Sequence, residues 1–354
     1  MKTAKKYQVL GVMSGTSLDG LDLALCRFTE GDTWSYTIER ATTVPYPQVW
    51  QDRLRAAHQL SGEGFIMLDR SYAQWTGEQI RLWLHAISRD VNFVSMHGHT
   101  IFHRPEIGVT SQIGHPAVVA AISGCDVVGD FRVSDVALGG QGAPLVPIGD
   151  ELLFHEYAAC LNLGGFANIS MNIDKQRRAW DVCPVNFVLN HLARRTGAAF
   201  DSGGELTSRG NVDEALLSKL ERHPFFAQEG PKSLGREWVE QEVLPLMVDL
   251  PIRDLLRTYT EHIVLRIQHE LQNSSGKLLV TGGGIHNSFL RKELETRLQM
   301  EVVVPSNELI DFKEALIFAF LGVLRYREEV NVLASVTGAV GDHCAGSIFL
   351  SRLK

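Results

Sequence analysis

The length, composition and charge of the chain set broad limits on what it can be. It has 354 residues, of which 45% are hydrophobic and 21% are charged, a balance typical of a globular protein with room for two domains. A formal net charge of −7, from 34 basic and 41 acidic side chains, disfavours nucleic acid or an anionic membrane as the main partner. The sequence has no apolar run of signal-peptide or membrane-spanning length, and five scattered cysteines without a paired spacing favour free thiols in a reducing cytoplasm.

The first informative segment is a turn between residues 14 and 20 that is rich in glycine and hydroxyl groups. Val9 and Leu10 precede it, and leucines at every second position from 21 to 25 follow it, so we predict strand, turn and strand. Such a turn can surround anionic oxygens with N–H donors while Asp19 faces a metal ion. A glycine-rich hairpin by itself is more often only a turn, and the segment is neither a Walker loop nor a Gly-x-Gly-x-x-Gly motif.

Two later glycine turns repeat this arrangement. Residues 160–173 are again predicted to form strand, tight Gly164-Gly165 turn and strand, at the start of the second half of the chain. An apolar strand over 278–281 then enters Gly282-Gly283-Gly284, and a helix follows. Glycine at such a turn lets the backbone approach a ligand closely. Three of these turns can converge on one nucleotide, two at its phosphates and one at its adenosine.

The elements between the turns indicate an α/β protein. Apolar spacing predicts helices over 66–88, 255–271 and 314–324, and short buried strands over 91–96 and 126–129. A link rich in glycine and proline at 138–147 is the best candidate for a boundary. We therefore predict two domains, residues 1–140 and 141–354, with the C-terminal segment able to rejoin the first domain and a ligand cleft between the two.

The duplicated hairpin turns and the late triple glycine resemble the superfamily of sugar kinases, heat-shock chaperones and actin. Within it, the chain resembles the anhydro-N-acetylmuramic acid kinase family. The matching segments are Gly11–Asp22, His97-Gly98-x-Thr100, Asp130–Arg132, Gly139–Pro147, Leu161–Gly165, Pro231–Ser233, Gly235–Glu237, Thr281–Gly284, Glu314-Ala315 and Thr337–Ala339. The resemblance implies two ribonuclease H-like domains of the actin-like ATPase fold.

The resemblance also implies an enzyme that uses ATP and Mg²⁺. It would open the 1,6-anhydro ring of anhydro-N-acetylmuramic acid with water and phosphorylate O6, giving N-acetylmuramic acid 6-phosphate in peptidoglycan recycling. A homodimer is suggested by the resemblance and not established by the sequence. The expected nucleotide-binding residues are Gly15, Thr16, Ser17, Leu18, Asp19, Gly20, Leu21, Asp22, Gly164, Gly165, Gly282, Gly283 and Gly284, with Asp19 as the metal contact.

Asp181 is the candidate general base. It follows an apolar approach and precedes Pro184, which we predict to be the first residue of a helix. Position alone fits a base or a helix-capping carboxylate equally well, and the resemblance favours the base. The loop departs from the family pattern Asp-x-Gly-Pro-Gly/Ala-Asn, because Cys183 and Val185 replace small residues. A positive φ at Val185 would be strained, and nothing nearby favours a nucleophilic Cys183 thiolate.

Glu314 is predicted to open an apolar helix, where the helix dipole would favour an acid. The resemblance implies another role, in which Glu314 contacts the sugar beside Asp181. Asp181 would then activate a water, and Glu314 would orient that water or the sugar hydroxyls.

Residues 97–132 supply the candidate sugar contacts. The spacing of His97, His99 and His103 is not that of a helical zinc site, so hydrogen bonds from His97 and Thr100 to a sugar are favoured; the family usually has Gln where His99 stands. Arg132 can pair with the lactyl carboxylate of a muramic acid or form an ordinary structural ion pair.

Two rival functions remain open on the sequence. One is an ordinary N-acetylhexosamine kinase that phosphorylates a free hydroxyl without ring opening. The other is a non-enzymatic ATP-driven switch, against which Asp181 and Glu314 argue, because a switch needs no base at a sugar pocket.

Overall fold

A computed structural model describes residues 5–15, 18–228 and 232–351 of the chain. Its strands, numbered in chain order, are β1 Lys6–Ser14, β2 Gly20–Thr29, β3 Ser35–Pro45, β4 Phe93–Met96, β5 His99–Arg104, β6 Val109–Ile113, β7 Val127–Gly129, β8 Ala159–Leu163, β9 Phe166–Ile173, β10 Gln176–Pro184, β11 Lys277–Thr281, β12 Glu301–Val303 and β13 Ser347–Phe349. Its α-helices are α1 Gln48–Ala56, α2 Gly62–Ile87, α3 Pro116–Ser123, α4 Val133–Ala137, α5 Pro147–Leu153, α6 Asn186–Arg194, α7 Glu205–Ser208, α8 Glu214–Glu221, α9 Arg236–Trp238, α10 Ile252–Leu271, α11 Ser288–Arg297, α12 Asn307–Tyr326 and α13 Ala334–Thr337. No helix of these described residues is both long enough and apolar enough to cross a membrane.

The chain divides into two compact units. Unit 1 comprises Met1–Leu153 and Phe312–Lys354, and unit 2 comprises Phe154–Asp311. The sequence placed the boundary at residues 140/141, whereas the chain leaves unit 1 only after Leu153. The return of the last segment to unit 1 is the alternative that the sequence left open, and residues 312–354 therefore do not belong with unit 2.

The two units share a five-stranded core topology, to which unit 1 adds β13 antiparallel to β7 at one edge. In unit 1 the order is β13-β7-β4-β1-β2-β3, with β1, β2 and β3 antiparallel in succession and β4 and β7 parallel to β1. In unit 2 the order is β10-β9-β8-β11-β12, with β8, β9 and β10 antiparallel and β11 and β12 parallel to β8. Three antiparallel strands with two parallel strands added beside the first form the ribonuclease H-like topology, which confirms the predicted duplicated α/β fold class.

The sheet of unit 1 is covered on both faces, as its parallel strands require. Leu10 and Val12 point towards α2, in a core shared with Tyr72 and Ile80 of that helix. Gly11, one residue out of phase, points to the opposite face, where a Cβ atom would lie 2.0 Å from the backbone oxygen of Ala315. The glycine therefore lets α12 pack directly on β1.

The sheet of unit 2 packs on the long helix α10. Alternate residues of β8 and β11, such as Leu161 and Val280, share a buried core with Tyr259, Ile263 and Ile267 of the helix. The apolar stripe predicted for 255–271 is therefore the packing face of α10.

Helix α12 begins earlier than the sequence predicted. It starts at Asn307, although the prediction began at Glu314, where the continuous apolar run starts. Its first turns are amphipathic, with Leu309 and Ile310 buried and Asp311 exposed, so the apolar run alone did not reveal them. Glu314 consequently lies inside the helix, and the helix-dipole explanation for it is wrong.

Candidate active site

The first glycine turn joins β1 and β2 as predicted, with Ser14 paired to Leu21 at the end of the ladder. Leu18 has a left-handed φ of 59°, and Gly20 N donates to the Asp19 carboxylate at 3.0 Å. Asp19 is exposed. The predicted contacts Thr16 and Ser17 lie outside the described residues. The described part of the turn thus carries an exposed carboxylate just before β2.

The last two predicted residues of this segment have other surroundings. Leu21 is 2% exposed within the core of unit 1, so its side chain serves packing. Asp22 accepts a hydrogen bond from Thr43 Oγ1 at 2.6 Å, which ties β2 to β3. The sequence groups Leu21 and Asp22 with the residues of the turn as expected nucleotide contacts and does not reveal these separate roles.

A buried chain of hydroxyls supports the base of this turn. Ser14 Oγ lies 2.8 Å from His99 Nδ1 and 2.7 Å from Tyr46 Oη, and Tyr46 Oη lies 2.5 Å from Tyr72 Oη. Burial lowers the pKa of His99 to about 4, so the imidazole is neutral near pH 7. Sequence reasoning missed this network, whose visible traces were a serine that ends the apolar run of β1 and a histidine that begins β5.

Arg132 and His97 form a second polar pair in unit 1. Arg132 Nε donates to His97 Nε2 at 2.8 Å, and Arg132 Nη1 donates to Gly142 O at 2.5 Å. A guanidinium only donates, so neutral His97 carries its proton on Nδ1. Burial, and secondly the Arg132 charge, lower the pKa of His97 well below its usual value. This hydrogen bond of Arg132 is therefore made to a neutral ring.

Glu314 is electrostatically coupled to the same arginine. Its side chain keeps contact with solvent, yet the protein surrounding it desolvates the carboxylate and raises its pKa, while Arg132 and Lys313 act in the opposite direction. Burial lowers the pKa of Arg132 to about 10, with Glu314 opposing the shift. Unit 1 thus brings His97, Arg132 and Glu314 together, and the close packing of α12 on Gly11 fixes the last of them.

The loop over residues 139–142, part of the matching segment Gly139–Pro147, is fixed by a buried carboxylate. Asp135 is fully buried and accepts from Gly142 N at 2.6 Å and from Thr337 Oγ1 at 2.7 Å. The carbonyl of Gly142 in turn holds Arg132. Asp135, which the sequence left without a role, therefore shapes the loop that orients the arginine.

Two further candidates for sugar or metal contact, Thr100 and His103, lie within hydrogen-bond distance of neighbouring side chains. Thr100 Oγ1 lies 3.4 Å from Gln112 Nε2, and His103 Nδ1 lies 3.1 Å from Thr110 Oγ1. In the described part of the chain, no group of three or more His, Cys, Asp and Glu side chains is arranged to hold a metal ion.

Asp181, in unit 2, lies near the end of β10 opposite Asn168, beside a bulge in the register. Asn168 Nδ2 donates to Oδ1 and Leu234 N donates to Oδ2, the latter at 2.7 Å. Desolvation raises the pKa of Asp181, and these hydrogen bonds oppose the shift. Pro184 ends β10 and α6 begins only at Asn186, so the prediction of Pro184 as the first helical residue is wrong and Asp181 is not a helix cap.

The altered loop beside Asp181 is not strained in the way its sequence suggested. Val185 has a φ of −125°, and Cys183 is not among the residues with positive φ. Both side chains are fully buried, and burial raises the pKa of the Cys183 thiol. The larger side chains therefore fill the core of unit 2, and the thiol is not activated.

The two glycine turns of unit 2 are neighbours. Because β8 and β11 are parallel and adjacent, their carboxyl ends bring Gly164-Gly165 beside Gly282–Gly284. A Cβ atom on Gly282 would lie 2.5 Å from Asn162 Oδ1, and one on Gly284 would lie 2.9 Å from Leu163. A Cβ atom on Gly165 or Gly283 would meet nothing within 4 Å. The pair of turns forms a backbone surface that is open to a ligand.

A duplicated ribonuclease H-like topology with glycine turns at strand ends defines a protein of the actin-like ATPase and sugar kinase class. The chain belongs to the anhydro-N-acetylmuramic acid kinase family, whose sequence model matches residues 7–351, and it is accordingly a phosphotransferase.

Proteins named anhydro-N-acetylmuramic acid kinase from three bacteria illustrate the similarity. The protein of Pseudomonas putida is 36% identical over 96% of this chain and 98% of its own length, and that of Mannheimia succiniciproducens is 35% identical over 97% and 99%. The protein of Pseudomonas syringae pv. tomato is 34% identical over 96% and 98%.

Solved structures are more distant. Gluconate kinase from Lactobacillus acidophilus aligns with a TM-score of 0.44 at 9% identity, covering 99% of this chain and 94% of that one. The (R)-2-hydroxyglutaryl-CoA dehydratase component A from Acidaminococcus fermentans aligns with a TM-score of 0.41 at 14% identity, covering 88% and 96%.

Proposed function

We propose that the protein opens the 1,6-anhydro ring of anhydro-N-acetylmuramic acid with water and transfers the γ-phosphoryl group of ATP to O6. The observation that carries the proposal is Asp181, a carboxylate at the end of a strand whose two oxygens are oriented by Asn168 and Leu234. The Ser233 side chain also hydrogen-bonds to this carboxylate, which keeps one lone-pair site for an incoming proton donor. The family membership supplies the sugar.

In the proposed reaction, Asp181 accepts a proton from a water whose oxygen bonds to the anomeric carbon, and the bond from that carbon to O6 breaks. O6 then bonds to the γ-phosphorus of ATP, and the bond to the β-phosphate oxygen breaks to release ADP. The products are N-acetylmuramic acid 6-phosphate and ADP, which places the enzyme in peptidoglycan recycling.

Residues of unit 1 support recognition of the sugar. Arg132 is a cation oriented by His97 and Gly142, and it suits the lactyl carboxylate that distinguishes a muramic acid. Glu314 would orient the water or the sugar hydroxyls, and His97 and Thr100 would contact the sugar. That these residues and Asp181 serve one substrate in a cleft stays a prediction.

The glycine turns support ATP binding. Gly15, Leu18, Asp19 and Gly20 would surround phosphate oxygens, Gly164-Gly165 would make a second phosphate contact, and Gly282–Gly284 would accept the adenosine. Mg²⁺ usually binds one or two carboxylates together with phosphate oxygens and waters, so the exposed Asp19 fits it without a cluster of protein ligands. Bound there, Mg²⁺ would neutralise phosphate charge.

The cellular compartment is inferred from the state of the cysteines, and the binding partners are not tested by the structure. All five cysteines are free, which supports the predicted reducing cytoplasm. The homodimer and the absence of nucleic-acid and membrane partners stay predictions.

The test is ADP release with Mg²⁺-ATP on anhydro-N-acetylmuramic acid, N-acetylmuramic acid and N-acetylglucosamine. We expect turnover on the anhydro sugar alone, with incorporation of one oxygen from ¹⁸O-water at the anomeric position. Equal turnover on the open sugars would instead identify an ordinary hexosamine kinase. If no sugar stimulates ATP use, the ATP-switch reading replaces the proposal.

A further inference from the structure

Near Asp181, the carboxylate of Glu270 accepts hydrogen bonds from two side chains that are distant from it in sequence, Trp180 and Lys232. Trp180 Nε1 donates to Glu270 Oε2 at 3.0 Å, and Lys232 Nζ lies 3.2 Å from Glu270 Oε1. The Lys232 side chain is 6% exposed and that of Glu270 is 19% exposed. Both charges are therefore largely removed from water, and each neutralises the other.

Both segments held by Glu270 lead directly to Asp181. Trp180 precedes Asp181 on β10, and Asp181 N donates to Lys232 O at 2.9 Å. Two residues further on, Leu234 N donates to the carboxylate, and the Ser233 side chain hydrogen-bonds to it as well. Residues 232–234 thus run along β10 as a strap that fixes the backbone and the carboxylate of Asp181 together.

The placement of Glu270 is not explained by helix stability. It is the penultimate residue of α10, where the carbonyl ends of the helix disfavour an acid. A buried ion pair also adds little net stability, because desolvation offsets the attraction. Both of its partners, however, adjoin Asp181. Trp180 precedes Asp181 in the sequence, and the carbonyl of Lys232 accepts a hydrogen bond from Asp181 N.

We propose that Glu270 and Lys232 are positioning residues for Asp181: they hold the strap of residues 232–234 so that its donors orient the carboxylate. The inference rests on the proposed function for the step that Asp181 performs. It goes beyond that function in assigning a role to residues that need not touch the substrate.

The pKa of Asp181 is set by burial and by its hydrogen bonds, whereas the charged groups on the elements packed around this strand act on the neighbouring Cys183. Lys232 belongs to the strap, Glu270 and Arg266 to α10, and Glu221 to α8. Glu221 pairs with Arg266 and with buried His262, so it forms a separate cluster. When the donors of the strap leave the carboxylate, its ionised form loses stabilisation, and its proton should be lost only at higher pH.

The test compares Lys232→Met, Glu270→Gln, their combination and Trp180→Phe in the full chain. We expect each single variant to lower kcat about 10- to 100-fold, as small misplacements of a catalytic group do, with KM for sugar and ATP nearly unchanged. The double variant should be no worse than the singles, because the pair acts as one unit. Lys232→Arg should recover part of the loss. The exposed pair Arg291–Glu295 supplies the controls Arg291→Met and Glu295→Gln, which should behave as wild type.

A second readout is independent of turnover. The carboxyl ¹³C resonance of Asp181, assigned with Asp181→Asn, should titrate at higher pH in Lys232→Met, Glu270→Gln and Trp180→Phe than in wild type. An unchanged titration together with unchanged kcat in folded variants would overturn the inference. If wild type turns over no sugar while the titration still moves, the positioning role stands and the proposed function fails. Trp180→Phe keeps an aromatic side chain and removes only the N–H donor to Glu270, so it still tests the inference if Lys232→Met does not fold.

Discussion

At the residue scale, the protonation state of Asp181 decides the pH at which the proposed reaction can run. Desolvation raises its pKa above the ordinary aspartate value, against the hydrogen bonds from Leu234, Asn168 and Ser233. A base acts only when deprotonated. The carboxyl therefore becomes active at a higher pH than an exposed aspartate would.

We predict that kcat/KM for the anhydro sugar falls as the pH is lowered through an acid limb above the pKa of an ordinary aspartate. Asp181→Asn should reduce kcat by about 10²–10⁴-fold, the contribution of a general base, while ATP binding measured by calorimetry stays close to that of wild type. A variant that retains wild-type kcat would exclude Asp181 as the base.

A second residue-scale prediction concerns Cys183, the unusual residue of the loop. It is fully buried and its thiol pKa is raised by burial, so little thiolate forms at pH 8. In native protein treated with iodoacetamide, mass spectrometry should find the partly exposed Cys125 and Cys344 modified well before Cys183. Rapid alkylation of Cys183 would mean that the loop opens in solution.

At the element scale, the contact between β1 and α12 decides where Glu314 lies. Gly11 allows it because a Cβ atom would lie 2.0 Å from Ala315 O. Any side chain there must push the helix away from the strand. Such a shift would lower the free energy of unfolding and would also displace Glu314, the residue next to Ala315.

We predict that Gly11→Ala lowers the free energy of unfolding by about 1–3 kcal/mol, as overpacking does, and also lowers kcat through displacement of Glu314. Urea denaturation and steady-state kinetics would measure the two effects. Gly62→Ala is the matched control, since a Cβ atom there meets nothing within 4 Å. This variant should leave the free energy of unfolding and kcat nearly unchanged. Equal behaviour of the two variants would contradict the close packing of α12 on β1.

At the scale of the whole molecule, the two units differ in how the chain builds them. Unit 2 is one continuous segment, Phe154–Asp311, with its own core. Unit 1 needs Phe312–Lys354, because α12 covers one face of its sheet.

We predict that a fragment of residues 154–311 shows a cooperative thermal transition by circular dichroism, whereas a fragment of residues 1–153 does not. In the latter, the face of β1 and β4 that carries Gly11 and Ser95 would be uncovered, since Ser95 Oγ donates to Phe318 O of α12 in the intact chain. A cooperative transition of residues 1–153 alone would show that α12 is dispensable to that core.

The sequence by itself determined the features that depend on near neighbours. The glycine turns at Gly164-Gly165 and Gly282–Gly284 follow from the backbone freedom of glycine at strand ends, and α10 follows from its periodic apolar stripe. The duplicated α/β class and the candidate carboxylate Asp181 were visible for the same reason, because motif and period are local properties of the chain.

Only the tertiary structure decided what those residues touch. Asp181 is held by Leu234 N, 53 residues away, and Trp180 reaches Glu270 across 90 residues, separations at which no local pattern carries information. The return of the chain to unit 1 likewise depends on the packing of α12 against β1, and the start of α12 depends on Ile310, which is buried in the core of unit 2. Burial and partners arise when distant segments fold together, and they fix the charge state and orientation of the groups that the sequence could only name.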